Sequence, residues 1–243
     1  MSSVRIELLT YPSSGPAEHV LTRRCRELLS FFALRKRPLH RDELAASIWP
    51  DLEPKAACNV LQVTVHRIKE RFEGRPVIAC CRAGYALDST VVFDIAELER
   101  LACDIRGFRV LSPAEVELLE AGCANLQRAG RFADLNEALA PLDDRCRQLA
   151  AELAERLAAH HLRSGDVERA ISIAEAMLDM DPCDEAGWEI VIRAHLAQRR
   201  ESDAVRAFRR YSLALGRDLG IAPSDHLRRL LQGVRQPPSQ LAS

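Results

Sequence analysis

Five side chains in the stretch PKAACNVLQVTVHRIKERF, residues 54–72, carry the chemistry needed to read bases: Asn59, Gln62, Val63, His66 and Arg67. Amides pair bidentately with adenine, a guanidinium with guanine, and an exposed valine meets a thymine methyl, each good contact being worth about 1–3 kcal/mol of discrimination. Lys55 and Lys69 flank the group, and Arg82 follows shortly after the stretch; these cations suit phosphate oxygens. At 3.6 residues per turn the five share one face of a helix, whereas Ala57, Leu61, Val65, Ile68 and Phe72 recur at steps of four, four, three and four on the other. Pro54 suits the first helical position, Asp51 and Glu53 lie at the positive end of the helix dipole, and Gly74 can close the far end. The spacing therefore predicts a helix over 54–72 with an apolar face held by a core and a polar face left free.

The flanking segments supply what would hold such a helix. Pro76 to Asp88, PVIACCRAGYALD, reads as a hairpin with Arg82 at its tip. Upstream, Thr22 to Arg35 is a helix with Leu21, Cys25, Leu28, Leu29 and Phe32 inward and Arg23, Arg24 and Arg26 in water. Arg41 to Trp49 is a second helix, with Leu44, Ala45, Ile48 and Trp49 inward. Val4 to Leu9 alternates as a strand, and His19 to Leu21 is expected to pair back onto it. Strands, three helices and a hairpin in that order make a winged helix-turn-helix, in which the first two helices fix the third for entry into a major groove.

Downstream, the chain becomes rich in Ala and Leu. Helices are expected over Phe93 to Ile105, over Ala114 to Gln127 behind the capping box Ser112-Pro113-Ala114-Glu115, and over Asp143 to Arg163. GDVERAISIAEAMLDMDP and RRESDAVRAFRRYSLAL then align at an offset of 34, the tetratricopeptide period, pairing Ala170 with Ala204, Ile173 with Ala207, Ala174 with Phe208 and Met177 with Tyr211. Trp188 lies between them at core spacing. The expected architecture is an α+β winged helix-turn-helix domain over 1–92, an all-α tetratricopeptide-like helical-repeat domain over 93–234, and a flexible tail over 235–243.

Charge follows the same division. The chain as a whole is at net −1, but residues 1–92 carry 14 Lys+Arg against 10 Asp+Glu, and residues 93–243 carry 20 against 25. A basic front suits DNA, and an acidic rear suits protein contact. No apolar run approaches the ~20 residues that span a bilayer, and no signal-peptide pattern opens the chain, so a cytoplasmic protein without membrane contact is expected. The eight cysteines include no C-x-x-C pair, which argues against zinc; free thiols are expected, with Cys58, Cys80 and Cys81 the positions where oxidation would reach the reading helix or the hairpin. G-x-S-x-G, H-E-x-x-H and a glycine-rich phosphate loop are all missing, and His160-His161 is near no carboxylate pair or cysteine at ligand spacing. No catalytic site, metal or cofactor is expected.

The run RELLSFFALRKRPLHRDELAASIWPDLEPKAACNVLQVTVHRIKERF, with its D-E-L-A, I-W-P and N-x-L-x-V elements and the G-Y-x-L at Gly84, resembles the DNA-binding domain of bacterial transcriptional activators of the antibiotic-regulatory-protein type. That resemblance covers residues 4–92. The segment from Gly165 to Leu231, with its Leu-Gly-Ile-Ala-Pro bend, resembles the bacterial transcriptional activator domain of the same family, although 112–150 lacks the family's aromatic and Leu-Gly landmarks. Glu70 likewise departs from the more basic reading helices of the family. The resemblance implies a sequence-specific transcription regulator that binds direct repeats in double-stranded DNA and activates through RNA polymerase; the rear domain is expected to contact the polymerase or a second copy of the chain. The alternative is an adaptor that keeps the winged fold but works through protein contacts.

Overall fold

The computed structural model describes residues 4–9, 21–105, 111–129 and 131–232. The expected strand residues His19 and Val20 and the expected tail lie outside them. The chain divides into two compact units, one comprising Met1–Gly107 and Ala121–Ala150, the other Phe108–Glu120 and Ala151–Ser243.

In the first unit, β1 (Val4–Ile6) is followed by helices α1 (Arg23–Arg35), α2 (Arg41–Ile48) and α3 (Pro54–Arg71). Strands β2 (Ile78–Cys81) and β3 (Gly84–Leu87) form an antiparallel hairpin, and β4 (Val91–Phe93) leads into α4 (Asp94–Asp104). The partner of β1 among the described residues is β4, in parallel register with Val4 opposite Val91 and Ile6 opposite Phe93. Asp94 fixes this pairing: its buried carboxylate accepts N–H bonds from Leu8 at 3.0 Å, Leu9 at 2.9 Å and Ile95 at 2.8 Å. Thus β1 is tied to residues more than eighty positions away.

Every residue of α1 from Cys25 to Ala33 is buried, including two that an amphipathic reading would leave wet. Arg26 was expected in water, yet it donates to the Leu8 carbonyl at 2.7 Å and its guanidinium lies 5.4 Å from the Phe132 ring centre. Glu27 accepts from the Asn136 amide at 2.9 Å, and the same amide donates to Ile48 O at 2.8 Å. The physical reason is that residues 131–139, with two short 3-10 turns at Phe132–Asp134 and Glu137–Leu139, cover the outer side of α1. Burial raises the Glu27 carboxyl above its usual range, against the lowering pull of Asn136 and Arg23.

Helices α5 (Pro113–Arg128) and α6 (Ala140–Ser164) supply residues to both units; the expected capping box is formed, Ser112 N donating to Glu115 Oε2 at 2.8 Å and Glu115 N to Ser112 Oγ at 3.4 Å. The second unit contains α7 (Val167–Met180), α8 (Glu185–Ala197), α9 (Glu201–Asp218) and α10 (Asp225–Gln232). Its core joins Ala170, Ala174, Ala204, Ala207 and Tyr211 to Trp188 and Ile192 of α8. The small residues of the 34-residue repeat let α7 and α9 approach α8 closely, and Trp188 fills the space between, its indole N–H donating to Pro182 O at 2.9 Å. Asp184 caps α8 through the amides of Ala186 and Gly187. Among the described residues, no helix is long and apolar enough to cross a membrane.

Candidate nucleic-acid interface

The core side of α3 consists of Ala57, Leu61, Thr64 and Ile68, all at most 2% exposed. Thr64 takes the place expected for Val65, which is only half-buried, as is Phe72. A threonine is tolerated there because its hydroxyl donates to the Val60 carbonyl one turn back, at 2.8 Å, leaving the methyl for packing. Pro54 opens the helix, and Glu53 makes no side-chain cap. At the other end Glu73 and Gly74 both adopt positive φ, and Gly74 N donates to Lys69 O at 2.9 Å.

The opposite side of α3 is open. Lys55, Asn59, Gln62, Val63, His66, Arg67 and Lys69 are all exposed, with Val63 at 50%, a high value for an apolar side chain. The seven share one arc because they lie half a turn from the buried stripe. His66 Nε2 lies 3.2 Å from Glu70 Oε1, one turn on; both groups are in water, where such a pair contributes little.

Arg82 is exposed at the two-residue tip of the hairpin, between Cys81 and Gly84. The hairpin is held at both ends: at its base Val77 is buried and β2 packs against α3, and near its tip Leu39, just before α2, exchanges both backbone hydrogen bonds with Tyr85 at 2.8 Å. Gly84 makes this possible. A Cβ there would stand 2.1 Å from the Leu39 carbonyl oxygen, and its φ of +119° is one that other residues rarely adopt.

A polar cluster at the start of α2 escaped the sequence reading. The Arg41 Nε–H donates to Asp42 at 3.1 Å and the Cys58 thiol of α3 lies 3.5 Å from the same carboxylate, which is held below its usual pKa range chiefly by the Arg41 bond. The Tyr85 hydroxyl, with its pKa raised mainly by burial, feels the charge of the same arginine. Only the D-E-L-A motif, which contains Asp42, marks this position in the sequence. All eight cysteines are free thiols, and no group of three or more His, Cys, Asp or Glu could hold a metal among the described residues.

Residues 108–235 match the model of the bacterial transcriptional activator domain. The transcriptional regulatory protein EmbR of Mycobacterium tuberculosis and its counterpart from Mycobacterium bovis are each 28% identical to the chain over 225 residues, covering 84% of it and 55% of the relative. The solved structure of Mycobacterium tuberculosis EmbR in complex with a low-affinity phosphopeptide superposes with a TM-score of 0.61 at 25% identity, covering 87% of this chain and 59% of that one. The chain thus spans about half the length of the curated relatives it matches. With the family model matching more than half of its residues, the chain belongs to the bacterial transcriptional activator domain family, a family of transcription regulators of the antibiotic-regulatory-protein type rather than of enzymes.

Proposed function

We propose that this protein is a sequence-specific DNA-binding transcription regulator, in which α1 to α3 and the β2–β3 hairpin work as a winged helix-turn-helix. The observation that carries the reading is the two-sidedness of α3: one side is buried to 2% exposure or less, and the other exposes every candidate base-reading side chain. A helix about 10–12 Å across fits a major groove about 12 Å wide. Asn59, Gln62, Val63, His66 and Arg67 read bases, while Lys55, Lys69 and Arg82 hold phosphates. The excess of cations in residues 1–92 supports the same face.

The helices α7 to α10 act as a tetratricopeptide-like domain that contacts RNA polymerase or a second copy of the chain, and the protein works as an activator in the cytoplasm. The EmbR likeness supports a role in transcription. The adaptor reading draws on one specific observation, the Glu70 carboxylate paired with His66 in the middle of the reading face. Selection of bound duplexes from a random pool separates the two. A regulator enriches one motif, with direct repeats if two copies bind; an adaptor enriches none.

A further inference from the structure

We propose that the first unit carries a binding site for a small amphipathic monoanion, a carboxylate on an apolar body, in a cleft between the end of α1, the base of the hairpin and α4. The cleft measures about 670 Å³, inside the ~300–1,000 Å³ span of small-molecule sites. Its floor is apolar: Phe32 and Ala33 of α1, Leu87 of β3, and Val91 and Val92 of β4. Its wall on α4 is Ile95, Ala96 and Glu99.

Four cations line it, Lys36, Arg37, Arg100 and Arg145, against the single carboxylate of Glu99. Glu99 is shared, pairing with Lys36 at 3.2 Å and with Arg145. Arg37 is matched by Glu43 at 2.5 Å. Even counting both carboxylates, positive charge is in excess. The Arg100 side chain is exposed and makes no hydrogen bond or ion pair among the described residues. A guanidinium at the mouth of an apolar cleft suits a carboxylate bidentately, with the hydrocarbon body beneath it. An uncharged apolar guest would leave that charge unused, and a small hydrophilic anion would leave the floor wet.

The site differs from the outward face of α3 and shares no residue with it. Because β3 of the hairpin lines the cleft, an occupant would bear on the hairpin itself; any effect on DNA rests on the DNA-binding reading, whereas binding itself does not. The test is calorimetric titration of the intact protein with decanoate below its micelle concentration, beside decanol and acetate, without DNA. Saturable binding is expected for decanoate, with decanol weaker by about tenfold or more for want of the charge-assisted bond, and none for acetate. Arg100→Glu should weaken decanoate by a similar or larger factor, and Ala96→Trp should fill the cleft and abolish binding. Circular dichroism checks that each variant folds; where Ala96→Trp does not, Arg100→Glu decides. No saturable decanoate binding, or unchanged affinity in Arg100→Glu, would overturn the proposal, and neither result touches the duplex-selection experiment.

Discussion

The two units use their sequences differently. In the first, the informative residues are on the surface: α3 turns amide, imidazole and guanidinium groups outward and spends only four small or branched residues on the core. In the second, they are inside, where Ala170, Ala174, Ala204 and Ala207 set how closely helices approach and Trp188 fills what remains. Of its exposed apolar side chains, Leu118, Met180 and Leu213 follow no motif, and Leu219 and Ile221 belong to the Leu-Gly-Ile-Ala-Pro bend. The contrast teaches that a surface chosen for its chemistry can be read from residue types, whereas a surface chosen for its shape cannot, since many side chains give the same curvature.

The largest effect that would sharpen this contrast is in the second unit. Trp188→Ala should cost about 3–5 kcal/mol, the usual range for a buried aromatic. The chain has two tryptophans, one in each unit, so Trp49 emission in this variant reports on the first unit alone. In urea the far-UV signal should lose part of its amplitude early while the Trp49 transition keeps its midpoint. A Trp49 transition that moves equally would mean that the units do not melt separately. Next is Gly84→Ala, expected to cost about 2–3 kcal/mol because the new Cβ meets the Leu39 carbonyl at a backbone angle unsuited to it. Here the Trp49 midpoint should fall.

Surface changes should be smaller and should not register in melts. Arg82→Ala is expected to weaken binding to all duplexes alike and to reduce the salt slope by about 1, as checked by titrations at several salt concentrations. The smallest effect is a pH dependence in the second unit. Burial and nearby Arg169 lower the pKa of His161 below 6.5, against the opposing pull of Asp166 and Glu120. A depressed histidine favours the neutral folded form, so its contribution is complete above pH 6.5 and is lost as pH falls below that value, where the unfolded chain takes up the proton first. His161→Gln should therefore flatten the fall in melting temperature between pH 7 and pH 5.5. Parallel curves for the two proteins would contradict this.

The parts of the fold that were legible in the sequence are those written in local periodicity and caps. The bounds of α3, the hairpin tip at Arg82, the Ser112–Glu115 box and the 34-residue repeat all depend on residues near one another. What was missed depends on distant ones. The three-residue β4 has too few positions to show alternation, and its parallel pairing with β1 spans almost the whole first unit. The burial of Arg26 and Glu27 is caused by residues 131–139, which carry no sign that they will cover α1. Thr64 was passed over in favour of Val65 because periodicity weighs hydrophobicity, while the helix offers the threonine a carbonyl for its hydroxyl. The cleft beside α4 escaped for the same reason as β4, since its lining comes from five separate elements.

The outward face of α3 is tested most directly by anisotropy titration of the selected duplex and a scrambled one, across a range of salt, with the native protein and Arg67→Ala. The native protein should prefer the selected duplex, and Arg67→Ala should lose about 1–3 kcal/mol of that preference while keeping the salt slope. Equal affinity of the native protein for both duplexes, or discrimination unchanged in Arg67→Ala and in the Asn59→Ala control, would contradict a base-reading role for this helix.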